Sequence, residues 1–509
     1  MVAVNFSLPL DNLGLVVKAC FLALPAYILI RQLLVWLNNK LYSDLHSIPG
    51  PTVSEWRRAR IGWSQAYHII CMDPFETVRL FTRWRKQYGP VYKIRSMLGE
   101  VVIMATSVSA IRTVNISKSG CFEKMAMARK FIGPLVGDEG IILAEGKTHA
   151  RIRKMVAPAM HHDALVSLST VFLQQAKLFA ERLGASDPEK LDILAESRLA
   201  TFSIIYTTCF GTDIAQPERI ASLQKAYHEV FKEPLWRTFL SSLLGLIFWF
   251  VDPSVFNWRE DLHRYIKNTS KLLCEEYFHR ESQNEKPSQK EKPLLSFMVD
   301  PDTNMKISSG EMVDTVLSFL VAGQITTSAS ICWTLSLLGR EPQWQERLFQ
   351  ELQTWREEDG LERLDALPIL DRVVKESIRL YPPLSNVTRI SMKPVNIDGY
   401  LIPAGIAVRM PITSMQRDEE IWGNDADKFN PDRFLDEDLV VKSRMFWSAF
   451  LFGRRSCIGQ RFALLEIKAL ISIVMLQHVI VKRNPEVPQP SCRGCFAVPK
   501  DMKIYFRRR

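Results

Sequence analysis

Glycine and proline are not in excess, at 23 and 27 of 509 residues, and cysteine is sparse, at nine. The first two figures exclude a collagen-like or low-complexity chain. The cysteines are odd in number and follow no repeated spacing, which excludes a disulfide framework and favours reduced thiols facing a cytosol. No fixed-period repeat runs through the chain, so a solenoid is excluded. No glycine-rich nucleotide fingerprint marks a further cofactor domain. Acidic residues are the minority charge, 55 against 65 Lys+Arg, for a formal +10. That balance favours an anionic partner, whether nucleic acid, lipid headgroups or an acidic protein, without choosing among them.

What is present fits a large globular body: 47% of residues are hydrophobic and 24% charged. The N-terminus is different. Residues 13–30 read LGLVVKACFLALPAYILI, nearly all apolar and about long enough to span hydrocarbon. Asp11 precedes this run and Arg31 and Lys40 follow it, so the basic flank places the bulk of the chain on the cytoplasmic side. No small-residue cleavage site follows, which favours a retained anchor over a removed signal peptide. The alternative is a buried helix of a soluble body. The expected organisation is a lumenal tail (1–12), a membrane anchor (13–37), a linker with the proline hinge SIPGP (38–52) and a cytosolic body (53–509). The one low-complexity stretch, residues 282–293, reads as a polar loop. The apolar run 243–251 is too short to span a membrane.

Most of the body carries helical periodicity. Residues 308–339 open with a capping box of Ser308 and Glu311 and stay apolar over several turns. Strand signals are few; the clearest lie in residues 395–410, where Asp398-Gly399 and Pro403-Ala404-Gly405 supply turn chemistry. The expected fold class is mainly α with small β-sheets.

The chemistry concentrates at SAFLFGRRSCIGQRFALLEIKALISIVMLQ, residues 448–477. Ile458, Phe462, Leu465, Ala469, Ile473 and Leu476 recur at helical spacing, so Cys457 lies near the N-terminal end of a buried helix. That position is expected to lower its thiol pKa, and a thiolate binds a soft metal centre. Gly453 and Gly459 let the backbone approach the sulfur, and the planar fork of Arg455 suits a carboxylate of a bound cofactor. A buried structural cysteine is the competing use of such a residue.

Phe450, Gly453, Arg455, Cys457 and Gly459 reproduce F-x-x-G-x-R-x-C-x-G, and on these residues the chain resembles the cytochrome P450 family of haem-thiolate monooxygenases, behind an N-terminal transmembrane helix. The resemblance implies that Cys457 ligates the iron of haem b. It also implies a buried E-x-x-R pair, Glu376 and Arg379 in KESIRLYPP, joined by Arg433 from FNPDRF, as structural residues. In AGQITT, Ala322 and Gly323 match the oxygen-binding groove and Thr326 the threonine that helps protonate dioxygen. The family usually has an acid just before that threonine, and this chain has Ile325, with Gln324 beside it as a residue that can order water. A helix threonine also bonds back to a carbonyl one turn earlier in many proteins. His149 and Arg153 resemble the pair that holds a haem propionate, and Arg389 and Arg455 complete four donors for two carboxylates.

The resemblance further implies dioxygen as cosubstrate and electrons from NADPH through a separate flavin reductase. Arg454, Arg461 and Lys468 offer an electrostatic dock for that partner. It implies a cytosolic catalytic body held at the endoplasmic reticulum membrane in contact with lipid, no nucleic-acid partner, and a lipophilic substrate. The wording of the motifs is similar to fungal enzymes of secondary metabolism, for which a terpenoid is the expected substrate. Two other readings remain: a haem-thiolate isomerase or dehydratase that needs no reductase, and a non-enzymatic haem gas sensor or carrier.

Overall fold

The computed structural model describes residues 33, 43–52, 74–95, 100–185, 187, 191–212, 214, 216–232, 253–283, 292–298, 307–443, 447–482, 490–493, 496–499, 502 and 504–509. The expected anchor (all but residue 33), the apolar run 243–251 and most of the polar loop 282–293 lie outside the described residues.

Helices dominate and pack around one long central helix, Ser309–Arg340. Its start is the expected capping box: Glu311 N–H donates to Ser308 Oγ at 3.1 Å, and Ser308 N–H donates to Glu311 Oε2 at 2.9 Å. Two orphan donors of the first turn are thereby satisfied. Among the described residues this helix alone is long and apolar enough to cross a membrane, yet most of it is buried within the fold. It is a core helix, packed against Ile193–Phe210 and Gln460–Gln477. Apolar all round, such a helix has to lie inside a large body.

The sheets are small. β1 (Val91–Arg95), β2 (Val101–Ala105), β3 (Phe122–Glu123), β4 (Val387–Ser391) and β7 (Ala407–Met410) form one sheet in the order β1-β2-β7-β4-β3, with only the β2–β7 pair parallel. Between β4 and β7 in sequence, β5 (Val395–Ile397) and β6 (Tyr400–Ile402) make a hairpin. Its turn residues Asp398 and Gly399 have φ of +49° and +90°, as an Asp-Gly hairpin turn requires. Two further antiparallel pairs, β8 (His478–Lys482) with β11 (Ile504–Arg508) and β9 (Pro490–Arg493) with β10 (Phe496–Pro499), close the C-terminal region.

The stretch expected to act as a hinge is docked on the body. Leu45 and Ile48 are buried against Val91 and Ile103 of the first sheet, and Pro49 O accepts from Lys93 N–H at 2.8 Å. A Cβ at Gly50 would stand 2.1 Å from Lys93 O, so glycine permits that close approach. Leu45 and Ile48, just before the prolines, fix this part of the expected linker in place.

Candidate active site

The loop bearing Cys457 passes through two left-handed residues, Leu451 (φ +57°) and Gly453 (φ +67°). At 453 space as well as φ demands glycine: a Cβ would stand 2.2 Å from the carbonyl oxygen of Asn115, on the π-helical turn Thr113–Ser117. The loop then closes on itself, with Cys457 N–H donating to Phe450 O at 2.7 Å. Three residues on, helix Gln460–Gln477 begins with Gly459 as its cap, and Gly459 N–H points at the sulfur. From the helix Gly146–Val156, Arg153 reaches across to donate to Ser456 O (2.7 Å) and Ser456 Oγ (3.1 Å). The sulfur remains accessible even though protein surrounds it. One expectation is corrected here: burial pushes the thiol above its ordinary value, outweighing the Gly459 N–H and the Arg153 charge that pull it down. The helix end alone does not make a thiolate; a cation at the sulfur is needed to offset the lost hydration.

Basic groups gather nearby. His149 is buried on the same helix as Arg153, and burial, with Lys124 and Arg153 adding to it, lowers its pKa to about 4, so it is a neutral imidazole at physiological pH. Arg389, on β4, donates only to Thr388 O at 3.2 Å, and no carboxylate pairs with it among the described residues. Burial lowers its pKa to about 10, the mark of a guanidinium held without an anion. Arg389 and Arg455 both lie close enough to Lys124 to depress its charge. Arg455 departs from the expected arrangement. Its guanidinium is paired with Glu145 and donates to Ala144 O at 2.8 Å, and Lys124 bonds the other oxygen of the same carboxylate at 3.3 Å.

The central helix presents Ala322, Gly323 and Thr326 as half-buried residues, whereas Gln324, Ile325 and Thr327 are buried. Gly323 serves close packing, since a Cβ there would stand 3.0 Å from Ile205 Cγ1 on the neighbouring helix. The helix runs through this point without a break. Thr326 Oγ1 donates to Ala322 O at 2.7 Å, the back-bond that helix threonines commonly make. Ile325, at the position where an acid was expected, points into the apolar core.

The acid–arginine cluster is complete. Glu376 and Arg379 are fully buried and joined twice, at 2.7 and 2.8 Å. Arg433 Nε donates to Glu376 Oε1 at 2.9 Å, and Asn430 N–H donates to the same oxygen at 2.9 Å. The remaining Arg379 donors reach Gln416 O and Ala426 O at 2.6 and 2.8 Å.

Two residues that sequence reasoning passed over belong to this region. Glu145 stands in the same short stretch as His149 and Arg153, and only the fold shows that it meets Arg455. Glu466 is the lone acid in FALLEIKALISIV, and its place in an apolar run was the available signal. It is wholly buried. A third residue, Lys468, is corrected. It is not a surface dock but is buried and paired with Asp365 (2.6 Å) and Asp371 (2.8 Å), while Arg454 and Arg461 are exposed.

The sequence model of the Cytochrome P450 family matches residues 70–503. The chain belongs to the cytochrome P450 family. Among its relatives, Cytochrome P450 714B3 of Zea mays is 28% identical over 415 residues, 79% of this chain and 74% of the relative. Cytokinin hydroxylase of Arabidopsis thaliana is 27% identical over 402 residues, 78% and 76% respectively. The 11-oxo-beta-amyrin 30-oxidase of Glycyrrhiza uralensis is 29% identical over 364 residues, 68% of each. The crystal structure of the cytochrome P450DA haem domain superposes with a TM-score of 0.72 at 18% identity, over 91% of this chain and 98% of that one, which shows the shared fold. These relatives are plant proteins, and they give no support to the fungal resemblance expected from the motifs.

The chain is therefore a cytochrome P450 monooxygenase with a haem-thiolate cofactor. Its residues fit that cofactor. Among the described residues no three His, Cys, Asp or Glu side chains are grouped to hold a bare metal ion, and a haem brings four nitrogens of its own, requiring only one protein thiolate. Arg389, half-buried and without a carboxylate among the described residues, is the kind of donor that a propionate satisfies.

Proposed function

We propose that this P450 is a reductase-dependent monooxygenase of a lipophilic small molecule, of terpenoid class, with Cys457 as the axial ligand. The observation that carries the reading is the accessible Cys457 sulfur in its closed loop, faced by the Gly459 N–H and neighboured by Arg153. When bound, the haem supplies the oxidising chemistry, with the thiolate favouring O–O cleavage. Phe450, Gly453 and Gly459 shape the sulfur loop. Arg389, His149 and Arg153 are the donors assigned to the propionates, with Arg455 released from Glu145 as a fourth. Ala322 and Gly323, small half-buried residues of the central helix, are assigned to the oxygen-binding groove. Thr326, its own proton engaged by Ala322 O, offers an oxygen lone pair to water there, and Gln324 supports that water. Glu376, Arg379 and Arg433 hold the fold beneath.

Residues 13–37 are assigned as a single-pass anchor in the endoplasmic reticulum membrane, with the body cytosolic. NADPH-cytochrome reductase is the assigned electron donor, meeting the exposed Arg454 and Arg461. The relative named for oxidising 11-oxo-beta-amyrin supports a terpenoid as the first class to screen. The reduced carbon monoxide difference spectrum of membranes carrying the chain should show the thiolate-ligated Soret band, and Cys457→Ala should lose it. Its absence from folded wild-type protein would refute the assignment. A reductase-independent isomerase or dehydratase is the second reading, favoured by the buried Ile325 in place of an acid; product formation without NADPH and reductase would establish it instead.

A further inference from the structure

Arg389 is not alone: a second arginine of the same sheet, Arg409 on β7, also stands without an anion. The antiparallel register sets Arg409 opposite Thr388 on β4, whereas Arg389 is opposite Val408. Directly opposed residues share a face and successive residues alternate, so the two arginines point to opposite faces of the sheet. Arg389 shares its face with Val408, whose cluster packs against Phe452 of the cysteine loop. Arg409 shares its face with Met104, Ala407 and Ile390. Its Nε–H donates to Thr388 Oγ1 at 3.2 Å, and no carboxylate meets its terminal nitrogens among the described residues. Burial lowers its pKa to about 10, and no neighbouring charge offsets that cost. At neutral pH it is a desolvated cation, which costs stability until an anion pairs with it. A haem with its propionates on the Arg389 face leaves Arg409 unanswered. The Arg409 face is not sealed. Arg409 and Thr388 are half-buried, and Ile390, two residues on from Thr388, lines a cavity of about 330 Å³ beside the Lys124–Glu145 pair. Met410, the next residue of β7, accepts through its sulfur from Asn115 Nδ2 at 3.2 Å, and the Asn115 carbonyl is the atom that Gly453 approaches. Arg409 therefore stands on a strand that borders the cysteine loop.

We propose that Arg409 anchors the anionic end of the substrate, and that the substrate is a long lipophilic carboxylic acid. The proposal deepens the monooxygenase reading above and rests on it. A guanidinium presents a planar fork of N–H groups that matches the two oxygens of a carboxylate. The bond to Thr388 uses Nε and orients the fork, leaving both terminal nitrogens to the ligand. Ala407 and Ile390, the half-buried neighbours on that face, are apolar and suit the body of such a molecule. Held by its carboxylate on the face away from Arg389, the molecule has to extend past the sheet to reach the iron. An elongated acid fits this requirement and a compact one does not. A cation kept at a cost to stability is the mark of a binding group rather than a structural one.

Equilibrium dialysis of the haem-loaded protein tests it at pH 7 with three acids, lauric, dehydroabietic and oleanolic, each beside its methyl ester. At least one acid should bind about ten-fold or more tightly than its ester. Arg409→Met should abolish that preference, and Arg409→Lys, a point charge without the fork, should keep part of it. Without ligand, the thermal midpoint of Arg409→Met should match or exceed that of wild type, whereas loss of a structural arginine would lower it. Equal affinity for every acid and its ester, an acid preference that survives Arg409→Met, or a lowered midpoint in that variant would each overturn the proposal. The reduced carbon monoxide spectrum follows the monooxygenase reading separately. Loss of its thiolate band would remove that reading, while dialysis would still decide whether Arg409 holds the acid.

Discussion

Arg379 places two parallel guanidinium N–H groups on the Glu376 carboxylate, at 2.7 and 2.8 Å, three residues away on one helix and out of contact with solvent. The pair meets at i and i+3, a spacing that on an exposed face contributes only a few tenths of a kcal/mol. Buried, it is tolerable only because Arg433, Asn430, the Asp425 carboxylate and five backbone carbonyls around the two arginines answer their strong donors and acceptors.

Removing one member should therefore strand a buried charge. Arg379→Ala is expected to cost about 3–5 kcal/mol, read as a loss of soluble, haem-loaded protein and a lower thermal midpoint. Little change in either would mean that the cluster is not a structural keystone.

Gly453→Ala should fail for two independent reasons, the φ of +67° and the approach to Asn115 O at 2.2 Å. The strained backbone alone costs on the order of 1–3 kcal/mol, and the clash adds to it. The expected result is haem loss with the helices retained, followed by the ratio of Soret absorbance to far-ultraviolet ellipticity.

His149 titrates in the folded protein at about 4 against an ordinary 6.5. Between those values the unfolded chain binds a proton that the folded chain does not, so stability is full above about 6.5, falls as pH drops, and stops falling from this source below about 4. His149→Gln should flatten that limb by up to ~1.4 kcal/mol per pH unit. Urea midpoints measured across the window test it; parallel slopes in both proteins would be the contrary result.

Arg454 and Arg461 are exposed, whereas Lys468 is buried between Asp365 and Asp371. Charge reversal at the two arginines should raise the apparent KM for reductase several-fold, and the effect should grow as the salt concentration falls, because the attraction is screened within about 10 Å at 0.1 M salt. Lys468→Met should act on stability, leaving that KM unchanged in the protein that folds. Equal KM effects from all three would return Lys468 to the docking surface.

Much of this molecule is legible in its sequence because the signals are local. The capping box at Ser308 and Glu311, the Asp398-Gly399 hairpin turn and the spacing from Phe450 to Gly459 each depend on neighbours a few residues away, and the chain's covalent geometry brings such neighbours together. The mainly helical class and the family follow from the same local information. What the tertiary structure decided are the relationships between residues from about one hundred to three hundred positions apart. Glu145 meets Arg455, Arg153 reaches Ser456, Lys468 turns inward to Asp365 and Asp371, and Glu466 faces Thr327. A charged residue reads alike in a sequence whether water or a buried partner will receive it, since desolvation and pairing depend on which helices pack together. For the same reason the sequence predicted an activated Cys457 from its helix end, and only the packed fold showed that burial outweighs the helix.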